Sequence, residues 1–235
     1  MSDTFQSELQ TIVEQLEPTF RNEGQQDIDA VLRFGVGSYD DLLALLENPN
    51  ADPELRSIAG WILARLGRSW ATPALSAALN DQTTQVRRSA AQALGDLGDP
   101  QALQPLLDAA SRDEDAEVRM FALRSLGLLG DLRAFEPLIS RLVDQQETPK
   151  VRGMAAEALA DLRDIRSVPP LIDALSDPIT EVRFWAAFAL GELGDPAAIL
   201  KLKQLAAKDN AVLPGWWEVK REAASAIERI LDKIN

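Results

Sequence analysis

Carboxylates and guanidinium groups are the only abundant reactive side chains in this 235-residue chain, because it contains neither cysteine nor histidine. Their absence removes disulfides, thiolate and imidazole metal ligands, cysteine nucleophiles and the Ser-His-Asp arrangement together. Paired carboxylates such as Glu157 with Glu181 or Glu192 remain for acid–base work, but charged helix residues are ordinarily solvated surface and acidic abundance alone stands behind that chemistry. The glycine pairs Gly95/Gly98, Gly127/Gly130 and Gly191/Gly194 imitate a phosphate loop, yet they close helices, where carbonyls and negative potential repel a phosphate. With 37 acidic against 24 basic residues the net charge is −13, the wrong sign for a phosphate backbone. Neither catalysis nor nucleic-acid binding is expected, and no metal or cofactor.

The elements that carry these residues are set by a repeat. Its unit reads DPxxxxxLLxAL, a short acidic link, then xVRxxAAxALGxLGD. The second half begins at Leu55, Val86, Val118, Val151, Val182 and, more loosely, Val219, at intervals of 31, 32, 33, 31 and 37 residues. Each half has apolar residues at helical spacing, with Asp-Pro and Leu-Gly-Asp at the joins, so each repeat is expected to be two helices. Pro100 and Pro196 suit a first helical turn, and Gly98, Gly130 and Gly194 suit the left-handed residue that ends a helix. Pro73, Pro105, Pro137 and Pro170 recur about a turn inside the first helix, which predicts a shared bend. Ala90-Ala91, Ala155-Ala156, Ala186-Ala187 and Ala223-Ala224 allow neighbouring helices to approach closely. A tetratricopeptide reading fails on the single tyrosine, Tyr39, and an ankyrin reading on the single Thr72-Pro73-Ala74-Leu75.

This motif resembles the short HEAT-like repeats of phycobilisome lyase proteins, DxxxxVRxxAAxALGxLGD, over roughly Pro53 to Ile234. The resemblance implies an all-α fold, a right-handed α-α superhelix (α-solenoid) of five to six two-helix repeats. Residues 1–50 depart from the motif and are expected to form an N-terminal helical cap and first partial repeat, with Phe5, Leu9, Ile12, Val13, Leu16 and Phe20 as one apolar stripe. Residues 51–235 are expected to form the solenoid as a single continuous domain. Families of this kind include bilin lyase subunits, phycobilisome degradation factors and scaffolds unrelated to pigment.

The resemblance also implies a role for the arginine series Arg56, Arg87, Arg119, Arg152 and Arg183, with Lys220 sixth. Six residues before each lies Asn50, Asp81, Asp113, Gln146, Asp177 or Pro214. Such rows form a structural ladder in which an inter-helix Asp (Asp81, Asp113, Asp177) pairs with the Arg of its own or the next repeat. The ladder is expected to weaken at Gln146 and Pro214, making the joints into the fourth and sixth repeats more mobile.

Positions that the motif leaves free on the second helix face the concave surface in proteins of this kind. They hold Ile58 and Trp61; Arg88, Ser89 and Gln92; Met120, Phe121, Arg124 and Leu128; Gly153, Met154 and Glu157; Phe184, Trp185 and Phe188; Arg221, Glu222 and Ser225. Of these, Trp61, Arg88, Gln92, Met120, Phe121, Arg124, Met154, Glu157, Phe184, Trp185 and Phe188 are the expected partner-binding residues. Within them Met120, Phe121, Met154, Phe184, Trp185 and Phe188 form one apolar groove, in a composition typical of interface cores. The insertion Ala211 to Trp217, with paired tryptophans after Pro-Gly, either plugs the solenoid end or meets a partner.

The expected function is a non-enzymatic protein-binding scaffold or adaptor, taking a segment with apolar anchors and a basic rim. The alternative, from the resemblance, is a phycobilin lyase-like or phycobilisome-associated protein. It would hold a linear tetrapyrrole or an antenna subunit, a phycobiliprotein, with Arg88, Arg124 and Arg221 near the propionates. No segment reaches the roughly 18 apolar residues of a membrane span, and the polar start MSDTFQSELQ lacks a secretory pattern, so a cytoplasmic location is expected.

Overall fold

The computed structural model describes residues 39–67 and 69–234, and the expected stripe from Phe5 to Phe20 lies outside them. The described residues form twelve α-helices and one isolated antiparallel bridge, Val212 with Glu218. The fold is an all-α solenoid of helix pairs. Two compact units divide the chain, residues 1–102 and 103–235.

In the first unit, α1 (Tyr39–Glu47) packs on α2 (Pro53–Arg65), α3 (Thr72–Ala78) on α4 (Thr84–Leu97), and α2 on α4. In the second unit, α5 (Leu103–Arg112), α7 (Phe135–Val143), α9 (Val168–Ala174) and α11 (Ile199–Lys208) are the first helices. Their partners are α6 (Ala116–Leu129), α8 (Pro149–Leu162), α10 (Thr180–Leu193) and α12 (Val219–Ile234). Each first helix packs on the second helix of its pair, and α6, α8, α10 and α12 pack in succession.

Short motifs set these boundaries. Gly98, Gly130 and Gly194 end α4, α6 and α10 with φ of 67°, 65° and 79°, as the Leu-Gly-Asp motif predicts. The Asp after each of these glycines, Asp99, Asp131 and Asp195, and Asp164 after Arg163, accept an N–H two residues on and open a 3₁₀ turn before the next first helix. Pro100 and Pro196 begin such 3₁₀ turns and not the α-helices themselves. Because those turns come first, Pro73, Pro105, Pro137 and Pro170 fall at the second or third residue of α3, α5, α7 and α9. A first-turn N–H has no intrahelical acceptor, so these prolines remove no helix bond and the expected bend has no cause there.

Small residues bring the second helices together. A Cβ on Gly127 of α6 would lie 2.9 Å from Ala158 Cα of α8, and one on Gly191 of α10 2.9 Å from Ala226 Cα of α12. Ala155, Ala156, Ala186, Ala187 and Ala223 are fully buried, while Ala224 is exposed.

Candidate functional site

The arginine row binds one repeat to the next. Arg56 pairs with Asp81, Arg119 with Glu147, Arg152 with Asp177, and Arg183 with Asp209. Arg119 is bidentate, Nε to Oε2 at 2.8 Å and Nη2 to Oε1 at 2.6 Å. The second anchor of each arginine depends on the residue six before it. Where that residue is Asp, its carbonyl accepts from Arg87 (3.0 Å), Arg119 (2.8 Å) and Arg183 (2.9 Å). Where it is Asn50 or Gln146, Arg56 and Arg152 donate instead to the carbonyls of Leu46 and Leu142, both at 3.0 Å. The expected weak rungs are therefore filled: Glu147, one residue after Gln146, and Asp209, ahead of the insertion, supply the carboxylates. Asp113 contributes its carbonyl to Arg119, and its Oδ1 accepts the Asp115 N–H at 2.9 Å. Burial raises the carboxyls of Asp81, Glu147, Asp177 and Asp209, but the arginine hydrogen bonds and backbone N–H donors outweigh it and hold all four below the usual range.

The other face of the second helices in the second unit carries three rows. Counted from the motif valine, the third position holds Phe121, Met154 and Trp185, the sixth Arg124, Glu157 and Phe188, and the tenth Leu128, Asp161 and Glu192. Phe121, Met154, Glu157, Trp185 and Phe188 are half-buried, and Arg124, Leu128, Asp161 and Glu192 are exposed. Trp185 lies against α8, since a Cβ on Gly153 would come within 2.6 Å of its Cδ1.

Phe184 departs from the expected groove. It is fully buried in a core cluster with Leu213 and Val219, so it supports the face from beneath and offers no surface to a partner. The reason is its place two after Val182: in α8 the same position is the buried Gly153, while Met120 in α6 stays half-buried. In the first unit, Trp61 and Gln92 occupy the sixth position, half-buried, as is Arg88. Arg65 lies 5.8 Å from the Trp61 ring centre. Among the described residues, no aromatic cluster like that of the second unit is found on this face.

The insertion completes the second unit's face. Leu213-Pro214-Gly215-Trp216 makes a type II turn: Gly215 has φ of 84°, and the Trp216 N–H donates to the Leu213 carbonyl at 2.9 Å. That turn lays Trp216 against Trp185, ring centres 5.1 Å apart at 77°, and Trp185 in turn meets Phe188 at 5.6 Å and 79°. Trp216 remains 48% exposed. Trp217 is anchored differently, its Nε1 donating to Oε2 of fully buried Glu222 at 3.0 Å. Arg229 donates to the other oxygen of Glu222 at 2.6 Å and sits 5.3 Å from the Phe188 ring centre. Trp216 thus extends the aromatic row of α10, an arrangement its position 28 residues after Phe188 did not reveal.

Beside the rings lies a set of carboxylates. Burial, then the neighbouring Asp161, raises the Glu157 carboxyl, against the pull of Arg124. Asp161, though exposed, is raised by a partial loss of water that outweighs the pull of Arg124 and Arg163, with Glu192 adding to the rise. Glu181 is raised by burial against the pull of Lys150. These groups lose water without gaining enough cation. Sequence reasoning passed over Asp161, which becomes legible only when the tenth position is read across repeats. Among the described residues no cluster of three or more potential ligands is arranged to hold a metal, and no helix is long and apolar enough to cross a membrane.

Comparison with known proteins agrees with this architecture. The family described as HEAT repeats matches residues 39–127, 72–149, 104–173 and 135–228. No curated protein matches the chain. Among solved structures, the complex of CpcE and CpcF of phycocyanin lyase from Nostoc sp. PCC7120 is 26% identical, with a TM-score of 0.59, covering 81% of this chain and 76% of that one. YibA of E. coli is 20% identical, with a TM-score of 0.62 over 91% of this chain and 80% of its own. A designed armadillo repeat protein in complex with the peptide (KR)4 is 18% identical, with a TM-score of 0.55 over 83% of this chain and 100% of its own. The last two likenesses carry the fold alone. The family matches together span residues 39–228, and the chain belongs to the HEAT-repeat family.

Proposed function

We propose that this chain is a non-enzymatic scaffold whose second unit holds a segment of another protein on the face of α6, α8 and α10. The segment would carry an aromatic or aliphatic anchor flanked by lysine or arginine. The observation that carries this reading is the juxtaposition of Trp185, Phe188 and half-exposed Trp216 with the under-compensated carboxylates Glu157, Asp161 and Glu181. Rings and methionine offer desolvated contact area, and a cation placed beside the carboxylates recovers the interaction that burial has cost them. The exposed Arg124 acts on both Glu157 and Asp161 and limits how far that acidic patch repels itself.

A display selection of random peptides on the wild-type chain, run beside a Trp185→Ala, Phe188→Ala variant, tests the proposal. Selected sequences should combine an aromatic or large aliphatic residue with lysine or arginine within a few positions. The variant should bind them at least about 30-fold more weakly, the loss of roughly 2 kcal/mol that marks a central aromatic contact. Selected peptides without basic residues, or equal binding by the variant, would refute it.

A second reading rests on the 26% identity with the phycocyanin lyase complex. In it the same face takes a linear tetrapyrrole or an antenna subunit. The arginines expected to seat propionates have other partners: Arg221 lies 5.6 Å from the Trp217 ring centre, and Arg124 faces Glu157 and Asp161. That weighs toward a cationic segment. Mixing the chain with a free linear tetrapyrrole separates the two readings, because only the second yields a shifted visible absorption band that Trp185→Ala abolishes.

A further inference from the structure

A cavity of about 380 Å³ opens on the ladder side of α10, between the end of α9 and α11. Its size falls within the roughly 300–1,000 Å³ of small-molecule sites. Leu175 and Leu205 give it apolar lining, and Lys201, Lys208 and Arg183 bring three cations to it. Such a gathering is out of keeping with a chain of net charge −13.

Comparison of the first helices shows where these charges come from. The third residue is Pro105, Pro137 and Pro170 in α5, α7 and α9, but Lys201 in α11. The sixth is Asp108, Ser140 and Asp173 in the same three helices, but Gln204 in α11, and it too lines the cavity. The last pair has thus gained a cation and carries an amide where α5 and α9 carry a carboxylate. A cation in a first helical turn opposes the helix dipole, so Lys201 gains nothing from its own helix.

The cavity's cations are not neutralised from within. Lys201 and Lys208 have no carboxylate partner among the described residues. Asp209 lines the cavity, but its Oδ2 accepts from Arg183 Nε at 2.6 Å and its Oδ1 from the Ala211 N–H at 3.0 Å. Arg183 Nη1 donates to the carbonyls of Asp177 and Pro178 at 2.9 and 3.0 Å, which leaves Nη2 without an acceptor among the described residues. In Arg119 and Arg152 the corresponding Nη2 is taken by a carboxylate.

We propose that this cavity binds a phosphate monoester, its phosphoryl group held by Lys201, Lys208 and Nη2 of Arg183 and its small organic part resting on Leu175 and Leu205. A phosphate monoester carries close to two negative charges at neutral pH, which matches the two unpaired lysines. Charge-assisted donors of this kind are the strong ones for phosphate oxygens. The ester is either a free small molecule or a phosphoserine of another protein, since the phosphoryl chemistry is the same. Arg183 and Trp185 lie two residues apart, on opposite sides of α10, so this site does not depend on the aromatic face proposed for a peptide segment.

Titration of the full chain with phenyl phosphate, followed by backbone amide NMR shifts, tests the site. Shifts should saturate and cluster at residues 175–183 and 201–209. Lys201→Gln and Lys208→Gln should each weaken binding at least about fivefold, the loss of one charge-assisted contact. Lys203→Gln, outside the cavity, should leave it unchanged. Benzoate, with a single charge, should bind at least about tenfold more weakly than phenyl phosphate. A peptide carrying one phosphoserine separates the sources: tighter binding than free phosphoserine supports a protein segment, and equal or weaker binding supports a free ester. Absence of saturable shifts, shifts on the Trp185 face instead, indifference to Lys201→Gln and Lys208→Gln, an equal loss with Lys203→Gln, or benzoate as tight as phenyl phosphate would overturn the proposal.

Discussion

Arg152 and Asp177 are both almost fully buried, with side chains 3% and 6% exposed, and neither has water to fall back on. Removing one partner strands the other charge, so Asp177→Ala should cost about 3–5 kcal/mol in urea unfolding. Arg133→Ala, whose pairing with Asp131 lies in solvent, should cost little and serves as the control. Gly153 is a second sensitive residue: an alanine there would press on Cδ1 of Trp185 at 2.6 Å. Gly153→Ala should keep the helix, displace the indole and weaken segment binding, read as a change in tryptophan emission beside a titration. The arginine row was legible in the sequence because it recurs at fixed spacing. Its rungs at Glu147 and Asp209 were not, because a carboxylate can reach the same guanidinium from a shifted backbone position. Phe184 was misplaced for a related reason: the two residues after Val-Arg look equally free in sequence, but one of them points into the packing with Leu213 and Val219.

At the scale of the element, the joins decide the architecture. Four α-helices end on a left-handed residue, and in α8 it is Arg163, with φ of 53°, where α4, α6 and α10 have glycine. A side chain in that conformation is strained by about 1 kcal/mol, only partly offset by the greater freedom of glycine in the unfolded chain. Arg163→Gly should therefore stabilise the fold by up to about 1 kcal/mol, measured as a higher urea midpoint at unchanged slope. The two-helix repeat and its glycine stops were readable from the Leu-Gly-Asp motif. The 3₁₀ turns were not, since Asp-Pro opens a 3₁₀ turn and an α-helix equally well, and they remove the bend that the prolines alone would predict. The insertion was recognisable as an irregularity, but the contact between Trp216 and Trp185 depends on a type II turn whose direction no periodicity specifies. Gly215→Val should disfavour that turn, with its φ of 84°, and release Trp216 from the α10 rings, seen as a red-shifted emission.

For the whole molecule, two sets of carboxyl groups act in opposite directions with pH. Asp81, Glu147, Asp177 and Asp209 have folded values below their unfolded ones, so their stabilisation is present above the ordinary carboxyl range and disappears as pH falls through the lowered values. Glu157, Asp161 and Glu181 have raised values, so they cost stability at neutral pH, a cost relieved as pH falls through the raised values toward the ordinary ones. Acidification should first protonate the raised group and weaken a basic segment, and unfold the ladder only at lower pH. Affinity and circular dichroism followed on one sample should lose binding before structure. The fold was legible in the sequence because six repeats restate it, whereas the binding face lies at the positions the repeat leaves free. The most direct measurement is backbone hydrogen exchange with and without a peptide selected on the chain. Protection should concentrate in α6, α8, α10 and residues 211–218. Protection confined to the first helices α7, α9 and α11, or to the first unit, would contradict the aromatic and acidic face as the site of recognition.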